Sequence, residues 1–586
     1  MRNFVRPIVL AAALALAATP AIAQSQNADL ARLFEEERAF VYREDPLSAT
    51  SAGVHQYDDR LPSVTPESQA RQLRANQDFL TRLRAIDRAS LSRQEQVSYD
   101  LFDFMVGERV RLARYDEWRL PLNSDSGFYS EILLLDDLQA PRTVRDYENY
   151  IARLNDIPRY FNEQIANMRQ GVRDGFTLPR EIIGGVAQVI GGFRYENAEA
   201  MGLYAPFANF PATVPEGERA RLREAGRAAI AERVIPAFDS FRTFFETEYA
   251  PRARLSIAAQ RLPNGRAYYA DLVRYFTTVP DATPRDVHAL GLREVARIRA
   301  AMEAEMRAAG FQGTFAEFLT FLRTDPQFYA TTPEQLLREA AWITREIDAQ
   351  MPNFFGRIPR RPYTVRPVPA EIAANYTAGR YNGGRLDQAG EYWVNTFALN
   401  TRPLYVLPSL TAHEAAPGHH TQISLARELE NLPAFRGTFY PHAFGEGWGL
   451  YAERLGEEMG IYHTPYQRFG RLTYEMWRAC RLVVDTGMHS MGWSRQRALD
   501  YLAANTALST HEIRTEIDRY IGWPGQALAY KVGELRIVAL RQRAEAALGE
   551  RFDIRAFHDA VLANGGVTLP VLERQIDDYI AAARAG

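Results

Sequence analysis

A chain of 586 residues with a net charge of −3, 46% hydrophobic and 24% charged residues has the composition of a globular protein able to bury a large core. Its weak acidity comes without long single-sign runs, which excludes an electrostatic footprint for nucleic acid or for a membrane surface. Cys480 is the only cysteine, so no intramolecular disulfide forms and no lipid-attachment cysteine stands near the N-terminus.

Taken in chain order, the sequence opens with the basic MRNFVR, an apolar PIVLAAALALAAT and a small-residue AIA before Gln24. That is the order of a secretory leader over residues 1–23, cut after Ala23. The expectation is an exported, periplasmic protein without a membrane span, because no later stretch approaches the ~20 apolar residues a span needs. From Asn27 to about Arg114 apolar residues recur three and four apart, as in LARLFEEERAFVY, which predicts helices. A loop is expected from Leu120 to Gly127, followed by helical spacing over 144–168 and from Glu216 to Tyr249. Between them REIIGGVAQVIGGF reads either as a helix with small faces or as a turn. Thr283 and Pro284 mark a helix start, a capping threonine followed by proline at the first helical position. The proline-rich Pro359–Pro369 predicts an extended crossing between an N-terminal helical region, 24–365, and a C-terminal metal-site region, 366–586, that together form one catalytic unit. EYWVNTFAL, 391–399, is the strongest strand candidate, and helical spacing resumes from Leu410. The fold class is therefore mostly α, with a small β-sheet beside a metal-binding helix.

Four of the ten histidines, His413, His419, His420 and His442, fall within 30 residues, and the stretch TAHEAAPGHHTQ begins like a zinc-hydrolase helix. On a straight helix His419 points roughly 120° away from His413, and His420 sits roughly 10 Å along the axis, so neither shares an ion with it. Pro417 and Gly418 supply a break: proline cannot donate back into the helix, and glycine tolerates unusual backbone angles. If two residues loop out, His419 takes the place of an i+4 ligand; His420 needs three expelled and becomes an outer candidate. Glu414 then faces the reacting water as a general base instead of binding the ion. In GEGWGLYAE, Glu446 and Glu453 share a helix face. Either could serve as third ligand of one zinc ion; Glu446, between Gly445 and Gly447 that allow close helix approach, is the first choice, and Glu453 then becomes an acid that holds a histidine. The bland alternative is a polar turn whose histidines make ordinary hydrogen bonds.

Arg478, Arg481, Asp485 and His489 lie along one helix face. They form either a solvated charged stripe or a group in which His489 donates to an oxyanion. In IGWPGQALAYKVG a helix restarts after Pro524-Gly525 with Gln526 and Tyr530 one turn apart. Tyr530 is a second candidate oxyanion donor, or a core tyrosine at a helix junction.

HEAAPGHHTQ, GEGWGLYAE, RLVVDTGMHS and WPGQALAYKVG, with LPNGRAYYADLVRYFTT upstream, resemble the bacterial "domain of unknown function 885" (DUF885) family over most of the chain. That family resembles the gluzincin metallopeptidases, which implies a largely helical fold with a small sheet beside the zinc helix and an activity on peptides. Its HExxPGH pattern matches His413, Glu414, Pro417, Gly418 and His419. The expected function is Glu-assisted hydrolysis of short peptides. The alternatives are a non-catalytic peptide- or metal-binding protein, and a zinc hydrolase of an ester or non-peptide amide.

Overall fold

A computed structural model describes residues 27–124, 126–373, 376–384 and 388–585. The expected leader, residues 1–23, lies outside them.

Helix starts follow local capping chemistry. Ser92, Thr143 and Thr464 each close a capping box, and the Thr283 hydroxyl accepts the Asp286 N–H at 3.2 Å; caps of this kind each contribute about 1 kcal/mol. REIIGGVAQVIGGF resolves as a helix over Arg180–Gly191, because Ile182, Ile183, Val186 and Ile190 share one buried face that the glycines do not interrupt. The elements that build the site are α1 (Gly265–Thr277), α2 (Pro284–Ala308), β1 (Tyr363–Pro367), β2 (Gly379–Asn382), β3 (Gly390–Val394), α3 (Leu407–Glu414), α4 (His419–Arg427), α5 (His442–Glu458), α6 (Pro465–Ser490), α7 (Thr510–Gly522) and α8 (Ala529–Leu548).

The sheet order is β1-β3-β2, with β1 parallel and β2 antiparallel to β3, so β2 is an edge strand. The strand expected over 391–399 stops at Val394. The Asn395 side-chain amide donates to the carbonyls of Ala373, Tyr376 and Thr377, and Ala398 turns into the left-handed region with φ 53°, which together bend the chain out of the sheet. The proposed division at 365/366 falls inside β1 rather than in a connection.

The two regions share one hydrophobic core that runs from Leu30 to Ile580. α2, from the first region, lies so close along α6 that a Cβ at Gly291 would stand 2.7 Å from the Cβ of Leu482. α5 and α8 cross with glycine on both sides, since a Cβ at Gly447 would come within 2.5 Å of the Gly533 Cα. Burying the large Trp448 and Tyr451 on the intervening positions of α5 fixes that helix in the core.

Candidate metal centre

The break in the HEAAPGHH stretch is real and brings the two histidines together. α3 closes with the Ala415 N–H on the Thr411 carbonyl at 2.9 Å. The chain then turns through Ala415–Gly418, with a cis Ala416–Pro417 peptide, and restarts as α4 at His419. A Cβ at Gly418 would stand 1.9 Å from the His413 carbonyl oxygen, so only glycine lets the returning chain close over the end of α3. The Trp448 indole N–H, from α5, donates to the Pro417 carbonyl at 2.9 Å and pins the turn. The His413 and His419 rings end up 4.8 Å apart and nearly perpendicular, at 86°.

Glu446 of α5 completes the group. Its Oε2 lies 3.7 Å from His413 Nε2 and 3.5 Å from His419 Nε2. Donor atoms around a tetrahedral zinc, at bonds of about 2.0–2.1 Å, stand about 3.3 Å from one another; the two contacts to Glu446 lie near that spacing, the three donors all lie within 4.8 Å of one another, and the His–His–Glu chemistry suits such an ion. The His413 Nδ1 side faces Glu453 Oε1 at 2.8 Å, which keeps the proton on Nδ1 and turns the Nε2 lone pair to the centre. Burial opposes a charged His413, but hydrogen bonds to Glu446 and Glu453 overcome it and push the imidazole up to about 10. Burial likewise opposes a charged Glu446, yet hydrogen bonds from His413 and His419 hold it well below the usual carboxylate range. Both shifts describe one buried acid–base pairing, in which the carboxylates favour the charged imidazole and the imidazoles favour the charged carboxylate. Close approach depends on Gly449, where a Cβ would lie 2.7 Å from His413 Nε2.

The triad opens onto a cavity of about 330 Å³ that also contains Glu414, Tyr440, Arg481, Arg519 and Tyr530. Glu414 Oε2 accepts the backbone N–H of Tyr381, on the edge strand β2, at 2.8 Å; this anchor aims the carboxylate. The Tyr530 ring lies nearly parallel to His413, 6.4 Å between centroids and 21° between planes. Arg519 Nη2 lies 3.5 Å from the Tyr530 oxygen as donor, which leaves the phenolic hydrogen free to point elsewhere.

Of the residues singled out in the sequence, His413, His419, Glu446, Glu414 and Tyr530 meet at this cavity, with Glu453 behind His413. His420 turns away: its Nδ1 lies 3.1 Å from the Tyr381 hydroxyl and 3.4 Å from Ser424 Oγ. His489 requires correction as an oxyanion donor. It is fully buried away from the cavity, its Nε2 lies 2.9 Å from the Tyr520 carbonyl, and its Nδ1 accepts the Ala259 N–H at 3.1 Å, so both ring nitrogens are occupied by backbone. Burial lowers this imidazole to about 3, which keeps it neutral. Asp485 is structural too, accepting the Tyr269 hydroxyl at 2.5 Å and the Gly525 N–H at 3.1 Å. The stripe on α6 is not solvated at all, because Arg478, Arg481, Asp485 and His489 are all buried. Sequence reasoning did not single out Tyr381, Trp448 or Arg519. The edge strand carries no periodic signal over four residues, whereas Arg519 stands one residue before a tyrosine in an ordinary amphipathic helix.

Comparison with known proteins gives a family. The chain belongs to DUF885, described as bacterial protein of unknown function, matched over residues 46–576. A crystal structure described as "the putative lipoprotein from Colwellia psychrerythraea" is 28% identical, with a TM-score of 0.87 over 94% of this chain and 99% of that one. A second, of a "putative lipoprotein of unknown function from Shewanella oneidensis", shares the fold at 18% identity, with a TM-score of 0.72 over 93% of this chain and 99% of that one. No curated protein matches the chain. Among the described residues no helix is long and apolar enough to cross a membrane.

Proposed function

We propose that this DUF885 protein is an exported zinc-dependent peptidase acting on short peptides. The observation that carries the reading is the convergence of His413, His419 and Glu446, with donor atoms within 4.8 Å of one another and Glu446 Oε2 3.7 and 3.5 Å from the two histidine Nε2 atoms, beside an anchored carboxylate, Glu414, in one cavity. His413, His419 and Glu446 would hold the ion, and zinc, when bound, supplies Lewis-acid polarisation of a carbonyl and acidifies water. Glu414 takes the proton of the water that attacks the scissile carbonyl carbon, and its backbone anchor on Tyr381 limits its swing. Tyr530 donates its free phenolic hydrogen to the oxyanion that forms. Glu414 then passes the proton to the departing amine as the C–N bond breaks. Glu453 keeps His413 in the tautomer that presents Nε2. Export to the periplasm is supported by the leader-like order of residues 1–23, and the similar Colwellia protein is described as a putative lipoprotein, itself an exported class.

The test is metal analysis of the purified protein, followed by digestion of a mixed-peptide library read by mass spectrometry. Expected are one equivalent of zinc and discrete new peptide termini that disappear with a chelator. Stoichiometric zinc with intact peptides would sink the peptidase reading and favour a binding protein.

A further inference from the structure

Three arginines crowd the end of the cavity beside Tyr530. Arg481 and Arg478 are 2% and 4% exposed, and each carries a buried guanidinium nitrogen, Nη1 and Nε respectively, with no acceptor. The carboxylates near them are shared. Glu516 Oε2 receives Arg481 Nη2 at 2.9 Å, the Tyr520 hydroxyl at 2.6 Å and Arg519 Nη1 at 3.5 Å. Glu453 faces Arg478 Nη2 at 3.3 Å while also holding His413. Glu446 is committed to the two histidines and Glu414 to the Tyr381 N–H. Glu512 is the remaining neighbour, and burial pushes its carboxyl up to about 7, which makes it a weak counter-charge. Three guanidinium cations therefore draw on two carboxylates that serve other groups as well, and buried cations left short of counter-charge are costly.

The accessible member is Arg519, whose side chain keeps 16% exposure and reaches Gln526 Oε1 at 2.8 Å and the Tyr530 oxygen at 3.5 Å. We infer that this arginine cluster is a carboxylate-binding subsite, with Arg519 in contact and Arg481 and Arg478 behind it, that takes the free C-terminal carboxylate of a short peptide. The Tyr530 ring centroid is 6.4 Å from the His413 ring and 4.2 Å from Arg481 Cζ. The Arg481 guanidinium thus lies within roughly 11 Å of His413, and Arg519, which reaches the hydroxyl end of the same Tyr530 ring at 3.5 Å, stands at a comparable distance, a span covered by one to three extended residues at about 3.3–3.6 Å each. A cavity of about 330 Å³, at the small end of ligand sites, suits the end of a chain better than a chain running through. The protein then trims one to three residues from peptide C-termini. The cleavage part of this inference rests on the proposed peptidase function; the carboxylate site does not.

The probe is a mixed tetrapeptide library prepared as free acids, as C-terminal amides, and as amides ending in glutamate. Binding is measured to the full-length Glu414→Gln protein, as purified, by equilibrium retention and mass spectrometry, and cleavage positions are read with the unmutated protein. Free acids should be retained about 10–100-fold over amides, the usual weight of a charge-assisted contact. Arg519→Gln should lower acid retention to the level of the amides, with circular dichroism and thermal unfolding confirming the fold. Equal retention of acids and amides, or no retention of either, overturns the subsite without any variant. Glutamate-ended amides that match the free acids overturn the C-terminal assignment. Acid-selective binding with no cleavage overturns the peptidase and leaves the carboxylate site standing; cleavage with no acid preference does the reverse.

Discussion

Gly449→Ala separates the metal geometry from the stability of the fold. Glycine in a helix interior costs roughly 0.5–1 kcal/mol relative to alanine, so on propensity alone the substitution would stabilise α5. The space is not free, however: a Cβ at 449 would stand 2.7 Å from Cε1 and Nε2 of His413 and 3.0 Å from Nδ1. Non-bonded carbon contacts settle near 3.5–4.0 Å, so the imidazole must retreat by about 1 Å. It cannot do so freely, because Nδ1 is tied to Glu453 at 2.8 Å. Metal–ligand bonds tolerate about ±0.2 Å. The disturbance therefore exceeds that tolerance several-fold, and it acts on a ligand itself, so zinc affinity should fall by about 100-fold or more, beyond the 10–100-fold typical when only an outer partner is lost. The assay is zinc titration in competition with a chelator, alongside thermal unfolding of the metal-free proteins. The expected pattern is lost zinc affinity with a metal-free melting temperature within a few degrees of the parent. A Gly449→Ala protein that binds zinc like the parent would refute the placement of His413 as a ligand facing α5.

Glu414→Gln should keep zinc and peptide binding and lose about 10²–10⁴-fold in turnover, measured as kcat on a cleaved library peptide, because an amide accepts no proton. His419→Ala should abolish stoichiometric zinc while His420→Ala retains it, since only the first ring faces Glu446; metal content of the two purified variants decides. Glu453→Gln preserves shape but removes the charge behind His413, so zinc affinity should fall about 10–100-fold by titration. Burial raises the Asp485 carboxyl to about 7, against hydrogen bonds from Tyr269 and Gly525 that pull it down. An ordinary aspartate titrates near 3.9, so between about pH 4 and 7 the unfolded chain releases this proton while the folded one keeps it. Asp485 therefore withdraws stability as pH rises through that window. Asp485→Asn should gain melting temperature relative to the parent on going from pH 5 to pH 8, and parallel pH profiles for the two proteins would contradict it.

The HExxPGH break was legible because its causes are written within eight residues. Proline and glycine are read directly from the chain, and helix geometry then favours His419 over His420 with no knowledge of the rest of the molecule. Glu446 was legible for a related reason, since small neighbours on the same helix announce a close packing partner. The α6 stripe shows where such reasoning stops. The periodicity placed Arg478, Arg481, Asp485 and His489 on one face correctly, but that face runs roughly 16 Å from end to end at about 1.5 Å per residue. It meets different surroundings along its length. At the near end the arginines turn to Glu453 and Glu516, from α5 and α7; at the far end His489 meets the Ala259 backbone, 230 residues away in sequence. Whether a charged face is solvated or buried depends on partners that local spacing cannot name. Burial of Asp485 and His489 is compensated by a distant hydroxyl and backbone groups that pair with them, whereas Arg478 and Arg481 share distant carboxylates and each keep one nitrogen without an acceptor. The same dependence explains Tyr381, whose importance lies in one backbone N–H on an edge strand. Any residue type except proline could supply that donor, so no side-chain pattern marks it. What sequence shows of a site is the set of side chains whose chemistry the reaction uses; what aims them is largely backbone and distant charge, and that is visible only in the folded chain.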